Sequence, residues 1–198
     1  GVNDAPALKK ANVGFSMGSG TEVAKEASDI VILDDNILSI SKAILYGRTI
    51  FKSIRKFIIY QLSVNTCALI ISIVGTLVGI QNPITIIQML WLNMIMDTFA
   101  GLAFSFEPAL LEYMNEAPKK QDEAIMNKYM YSEIIVSGLY SSILCILFLK
   151  LPFFASFIRY DESLKYLMTA YFAMFIFIGI CNAFNARTSR INVFANIF

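Results

Sequence analysis

The sequence predicts a mainly α-helical membrane protein with about four transmembrane helices, preceded by a small α/β segment and a helical stalk. The 198-residue chain is 57% hydrophobic, has a mean hydropathy of +0.61 and carries only 16% charged residues. Its later part consists of successive apolar stretches, each long enough to cross a hydrocarbon core of about 30 Å. Its beginning instead mixes short apolar runs with polar turns. These features favour a membrane protein and give no indication of a nucleic-acid partner.

Residues 1–38 have the pattern of the end of a soluble α/β domain. Short apolar runs at 13–17 and at Ile30–Leu33 suit buried parallel strands. Thr21 is placed to cap a helix over Glu22–Ser28 between them. Because one strand–helix–strand unit is too small to hold a core alone, we expect it to belong to a larger domain.

Asn3 and Asp4 precede the dipeptide Ala5-Pro6, where Pro fits the first turn of a helix. Polar residues at this place are most often a helix cap. A helix N-terminus beside an acid and an amide can alternatively hold Mg²⁺ and a phosphoryl group. Both interpretations stay open from the residues alone.

The helical period begins near residue 39, and the predicted stalk, 39–56, has several Lys and Arg residues and no acid. It continues without a Pro into the first apolar stretch, so one long helix is expected to enter the membrane. A turn is predicted at Gln81–Pro83 and a loop at 152–165. The transmembrane domain is predicted over 57–198, with spans at about 57–80, 84–106, 131–151 and 166–184.

Charge predicts the orientation of the spans. The stalk, the connector after the second span and the tail carry most of the Lys and Arg residues of the membrane part, whereas the opposite side has only Lys150, Arg159 and Lys165. The positive-inside rule therefore places the N-terminal part and the C-terminal end in the cytoplasm. The three Cys residues lie in apolar segments without zinc-ligand spacing, and we interpret all of them as small core residues.

Within the first two predicted spans, Asn65 in the first and Asn93 and Asp97 in the second stand where apolar side chains would be expected. Asn93 and Asp97 are four residues apart, so on an α-helix they project from one face. Asn65 lies within a turn or two of the same depth on the neighbouring helix. A carboxylate at this depth costs about 2.5–3.5 kcal/mol on insertion scales unless it faces a partner, a cavity or an ion.

These three residues are either a polar contact between packed helices or an oxygen-ligand site for a hard cation. Asp97 at the depth of both amides favours the ion site. The helix interruption that such a site requires is expected at Gly101.

Several motifs resemble P-type cation ATPases over essentially the whole chain. GVNDAPALKKANVGFSMGSGTEVAKEASDIVILDDN is similar to the end of their phosphorylation domain, GRTIFKSIRKFIIYQLSVN to their stalk, and LWLNMIMDTFAGLAFSFEP and CNAFNAR to later spans. The second span and the stalk look most like calcium pumps of the plasma-membrane type. The resemblance implies a haloacid-dehalogenase-like phosphorylation domain before the stalk.

The resemblance also implies roles for single residues. Asn3 looks like a contact to the phosphorylated aspartate or to nucleotide phosphate, and Asp4 like an organiser of Mg²⁺. Asn65, Asn93 and Asp97 match calcium ligands of the family. Ala68, Met96 and Gly179 stand where two-site calcium pumps have oxygen side chains, so the implied pump moves one Ca²⁺ per cycle.

The sequence contains no DKTGT phosphorylation motif and no nucleotide-binding domain. We therefore expect a C-terminal fragment whose partners are the missing N-terminal part of the same pump, membrane lipids and Ca²⁺, with Mg²⁺ and ATP bound mainly elsewhere. The expected location is the plasma membrane or an internal membrane. Two alternatives stay open: a pump for another divalent cation such as Mn²⁺, and a truncated, non-catalytic membrane module.

Overall fold

The computed structural model describes residues 1–80, 83–120, 122–158 and 164–187, which form two compact units. The first consists of Gly1–Phe51 with the described part of Pro108–Glu123. The second consists of Lys52–Glu107 with the described residues from Ala124 onward.

The first unit contains the predicted strand–helix–strand order. Strand β1 (Phe15–Met17) pairs in parallel with β2 (Ile30–Ile32), with Phe15 opposite Ile30. Helix α2 (Glu22–Ala27) lies between them in sequence and begins after Thr21, as predicted, but the Thr21 side chain accepts no capping hydrogen bond and the helix ends one residue before Ser28. Helix α1 (Ala5–Lys10) precedes them. The pattern of short apolar runs thus identified both strands, although the structure shortens each of them.

The connector between the second and third spans is fixed within this unit by one arginine. Arg48 donates through Nη1 to the carbonyl oxygens of Tyr113 at 2.6 Å and Glu116 at 2.7 Å. A short 3-10 helix, Leu111–Asn115, begins just before these acceptors. A single guanidinium therefore binds two carbonyl oxygens at the end of this 3-10 helix, where backbone carbonyls lack regular helical partners.

Helix α3 (Ile37–Leu77) confirms the predicted continuous helix from the stalk into the first span. Its 41 residues give a length of about 60 Å, twice a hydrocarbon core. The helix ends where Gly79 adopts a φ of +82°, and the Ile80 N–H then returns to the Gly75 carbonyl at 2.8 Å. Lys150 covers the same end by donating to the Val78 carbonyl at 2.6 Å.

The second span is interrupted, but not at Gly101, where the sequence predicted the interruption. Helix α4 (Ile86–Trp91) is followed by a π-helix over Leu92–Met96 and then by α5 (Asp97–Ser105). The start of α4 is fixed by a capping box, in which the Gln88 N–H donates to Thr85 Oγ1 and the Thr85 N–H to Gln88 Oε1.

The remaining helices are α6 (Lys128–Lys150), α7 (Pro152–Phe157) and α8 (Lys165–Arg187). Asn127 caps α6 by accepting the Met130 N–H at 2.9 Å. The prediction of a loop throughout 152–165 is wrong at its beginning, because Pro152 starts α7. Residues 81–82 of the predicted turn, residues 159–163 of the predicted loop and the tail from residue 188 lie outside the described residues.

Among the residues that the structure describes, four helical segments are long and apolar enough to cross a membrane, which confirms the predicted mainly α-helical membrane fold. They are Ile37–Leu77, Ile86–Ser105, Lys128–Lys150 and Lys165–Arg187.

Helices α3 and α6 approach each other closely at Gly138. A Cβ atom on Gly138 would lie 2.7 Å from Thr66 Cγ2 and 3.5 Å from the Ser63 carbonyl oxygen. Next to this contact, Cys67 and Cys145 are buried in one apolar cluster. Cys181 is exposed, so its prediction as a core residue is wrong. Small residues at the helix crossing allow this packing, as is common between spanning helices.

A buried carboxylate joins three segments at one end of the second unit. Glu107, whose side chain is 9% exposed, forms ion pairs with Lys56 of α3 and with Arg187, the last residue of α8. The Arg187 Nε to Glu107 Oε1 distance is 3.2 Å. Since Glu107 lies shortly after α5, its carboxylate links this segment to the middle of α3 and to the end of α8.

Substitution of Gly138 by Ala should destabilise the protein by about 1–3 kcal/mol, because the new methyl group overlaps Thr66, whose branched side chain has little rotamer freedom in a helix. Thermal unfolding of the detergent-solubilised protein measures the effect. The control is Gly47→Ala: Gly47 is helical and has no atom within 4 Å of its added Cβ, so Ala should be neutral or stabilising. A Gly138→Ala variant that melts no lower than the parent would contradict the close contact.

Substitution of Glu107 by Gln should lower the free energy of unfolding by up to about 3 kcal/mol, because two cations lose their counter-charge while both stay partly exposed. The matched control is Lys119→Gln, which breaks an exposed pair with Glu123 at 3.6 Å and should cost about 0–1 kcal/mol. The free energy of unfolding of both variants is measured at low and at high salt to distinguish the two effects. Equal shifts for both variants would show that the Glu107 pairs contribute no more than a surface pair.

Candidate ion site

Asp97 is the first residue of α5 and directly follows the π-helix. Its side chain is half-buried, and its Oδ2 accepts a hydrogen bond from Gln61 Nε2 on α3 at 3.0 Å. A carboxylate offers about four acceptor positions, so one amide donor leaves most of them available. The pair places a negative charge in the spanning part beside a neutral partner.

The helix interruption lies at the π-helix and not at the expected Gly101. The Asp97 N–H donates to the carbonyl of Leu92, five residues back, instead of to that of Asn93. Gly101 lies in the regular helix α5, where an added Cβ would be 3.6 Å from the Phe57 ring. The irregular backbone is therefore adjacent to the carboxylate, an arrangement frequent at functional sites.

The two predicted amide ligands have different surroundings. Asn65 is half-buried on α3, one turn after Gln61, whereas Asn93 is exposed within the π-helix. Neither side chain makes a hydrogen bond to any residue in the described ranges. The structure gives Asp97 a partner that was not predicted, Gln61, and leaves both amide oxygens available to a ligand.

Gln61 could have been found from the sequence. It is a polar residue within the continuous helix and lies four positions before Asn65, the spacing of neighbours on one helix face. Its place near the start of the predicted first span, where polar side chains are ordinary, makes this signal weak.

The three positions that lack an oxygen side chain are filled by apolar packing. Ala68 is 4% exposed and belongs to the apolar cluster of the second unit, and Met96 packs against that cluster. A Cβ on Gly179 would lie 3.0 Å from the Met96 methyl carbon. A side chain introduced at Gly179 would therefore require a small shift of the Met96 methyl group.

Clusters of three or more His, Cys, Asp or Glu residues are absent from the described part of the chain. A cation at Asp97 would accordingly be held by amide and backbone oxygens in addition to the single carboxylate. Oxygen ligands of this kind suit a hard cation such as Ca²⁺ and disfavour soft metals.

Asn3 and Asp4 lie in a 3-10 helix, Val2–Asp4, which leads directly into α1. Both side chains are exposed, and Asp4 Oδ2 accepts a hydrogen bond from the amino group of Gly1. The predicted loop before the helix is therefore a helical turn, with Asn3 and Asp4 just before the start of α1.

The carboxyl edge of the small sheet carries two further acids, Asp34 and Asp35. Asp35 Oδ1 accepts the Ser19 N–H at 3.0 Å, and Asp34 Oδ2 accepts the Ser39 hydroxyl at 2.6 Å. These hydrogen bonds lower the pKa of each carboxyl group, with Ser19 the main cause for Asp35 and Ser39 for Asp34. The acids were visible in the sequence as the Asp-Asp-Asn that ends the second apolar run.

Comparison with known proteins places this geometry in a family. Residues 81–198 match the family model described as "Cation transporting ATPase, C-terminus". The chain is 40% identical over 209 residues to plasma membrane calcium-transporting ATPase 3 of Homo sapiens, and 40% identical over 203 residues to calcium-transporting ATPase 2 of Schizosaccharomyces pombe. It is also 40% identical over 199 residues to the plasma-membrane-type calcium-transporting ATPase 12 of Arabidopsis thaliana.

Each of these alignments covers 100% of this chain but only 16–19% of the relative. The chain thus spans less than one fifth of the length of these relatives. The family match, the full-length alignments and the four apolar helices agree with one another. The chain is an integral membrane protein and belongs to the cation-transporting P-type ATPases, in their C-terminal region.

Proposed function

We propose that this chain is part of an ATP-driven P-type pump that exports Ca²⁺ from the cytoplasm, and that the ion binds at Asp97. The observation that carries this proposal is the half-buried Asp97 carboxylate next to an interrupted helix, with only the neutral Gln61 as its partner among the described residues. A charge held in this way within a spanning segment is costly unless an ion offsets it. The named calcium-transporting relatives support Ca²⁺ as that ion.

Asn65 and Asn93 are the further ligands in this proposal. Their amide oxygens and the backbone around the π-helix are hard-oxygen donors, which Ca²⁺ takes in sets of six to eight. Asp97, Asn65 and Asn93 supply fewer than that, so the remaining ligands would come from backbone oxygens, water or other parts of the pump.

One Ca²⁺ per cycle is proposed because the place of a second oxygen-ligand set is occupied by apolar side chains. Ala68 is buried, and the Met96 methyl group fills the space beside Gly179. None of these residues offers a side-chain oxygen.

In the whole pump, Mg²⁺ and ATP would phosphorylate an aspartate outside this chain. Asn3 would contact the phosphorylated group or the nucleotide phosphate, and Asp4 would help to organise Mg²⁺. Both side chains are exposed, which supports their availability to such ligands. Helix α3 would couple phosphorylation to the ion site, since it is unbroken from Ile37 to Leu77 and carries both Gln61 and Asn65.

The proposed location is the plasma membrane or an internal membrane, in contact with its lipids and with the rest of the pump. The cytoplasmic side would carry the N-terminal part and the C-terminal end. Supporting this orientation, the basic residues of α3 are concentrated in its first half, at Lys42, Arg48, Lys52, Arg55 and Lys56.

Asp97→Asn in the full-length pump should abolish Ca²⁺-dependent phosphorylation from ATP at micromolar Ca²⁺, because the amide removes the charge that offsets the cation. The measurement is incorporation of labelled phosphate over a range of Ca²⁺ concentrations, with Mn²⁺ as competitor to separate the two ions. Glu133→Gln is the matched control, since Glu133 is a half-buried carboxylate on another spanning helix. Near-normal Ca²⁺ dependence of the Asp97 variant would contradict the site.

Asp4→Asn should raise the Mg²⁺ concentration needed for half-maximal phosphorylation at least tenfold while leaving Ca²⁺ affinity unchanged, because Asp4 is proposed to act on Mg²⁺ alone. Phosphorylation measured against Mg²⁺ and against Ca²⁺ in separate titrations tests this. Lys10→Gln, which alters an exposed charge on α1, serves as the control. An unchanged Mg²⁺ dependence would remove Asp4 from the proposal.

A further inference from the structure

A small cavity lies between α3, α6 and α8 in the second unit. About 10 Å³ is open to the centre of a water molecule, which is room for one water. Most of the wall is apolar. Three polar side chains also line it, one from each helix: Ser63, Ser141 and Asn182.

The Ser63 hydroxyl group is the main evidence for a ligand in this cavity. Its side chain is 2% exposed, and its Oγ has no hydrogen-bond partner among the described residues. Other hydroxyl groups of α3 behave differently: those of Thr49, Ser72 and Thr76 each donate to the carbonyl four residues earlier in the helix. Ser63 has the same kind of acceptor nearby on its own helix and does not use it.

The other two polar residues can share the ligand. Ser141 and Asn182 are each 7% exposed. Within the described ranges, neither side chain forms a hydrogen bond to another residue. A buried water makes two to four hydrogen bonds to polar groups that otherwise lack partners, and this cavity offers three such groups.

We propose that an ordered water molecule occupies this cavity and bridges Ser63, Ser141 and Asn182. A water fits better than a metal ion, because all three polar side chains are neutral and the rest of the wall is apolar. A hard cation would require six or more oxygens and a compensating charge. The water would connect α3, α6 and α8 through hydrogen bonds, independently of which ion the pump transports.

The direction in which Ser63→Ala changes the melting temperature tests whether the water is present. With the water present, Ser63→Ala removes a satisfied buried hydrogen bond and should lower the melting temperature of the full-length protein in detergent. Without it, Ser63→Ala removes a buried hydroxyl that has no partner, so the melting temperature should stay equal or rise. Ser72→Ala is the control, because the Ser72 hydroxyl bonds within its own helix at 2.8 Å and is exposed; it should change the melting temperature little.

A double-mutant cycle provides the second measurement. Ser63→Ala and Asn182→Ala should each lower the melting temperature, and their combination should lower it by less than the sum, since both act on one bridging water. A density peak within hydrogen-bond distance of Ser63 Oγ in a high-resolution map of the parent protein would show the water directly. Additive shifts together with an empty cavity in that map would overturn the proposal.

Discussion

The close approach of α6 to α3 at Gly138 is the contact on which the packing of the spanning helices depends. Spanning helices cannot rely on the hydrophobic effect to associate in lipid, so small residues that permit backbone contact become decisive. The absence of a side chain at Gly138 lets Thr66 and the Ser63 carbonyl reach the α6 backbone. The same approach lets the Ser142 hydroxyl, which donates to Gly138 at 2.6 Å, lie 3.4 Å from the Cys67 carbonyl of α3. The cavity lined by Ser63, Ser141 and Asn182 lies beside this contact.

Asp97, the first residue of α5, and Glu107, which follows α5, have different charge partners. Glu107 is paired with two cations from different helices, so its charge is compensated within the protein and its carboxylate links α3 to the end of α8. Asp97 receives one neutral donor from Gln61, so its charge stays uncompensated by the described residues. Since an uncompensated charge is more costly in the spanning part than near its end, the difference favours an external cation at Asp97 and not at Glu107.

Much of the fold could be predicted because it depends on periodicity and apolar length. The strands, the unbroken α3 and the four apolar helices follow from patterns within single segments. The π-helix could not be predicted in the same way, since Leu92–Met96 has no Gly or Pro to indicate an interruption. Gly138 was missed for another reason: its importance depends on Thr66 of a distant helix, and single-segment patterns contain no information about that partner.

The proposed one-ion arrangement would depend on packing as well as on ligand count, because Met96 lies against Gly179. An acidic side chain introduced at Gly179 would have to enter the space of the Met96 methyl group, 3.0 Å from the new Cβ. Met96 in turn packs against the apolar cluster that includes Ala68, so a shift of its methyl group would alter that packing. Restoring one oxygen ligand alone would therefore cost packing before it could bind an ion. A second ligand set would therefore require oxygen side chains at Ala68, Met96 and Gly179 together with repacking around Met96.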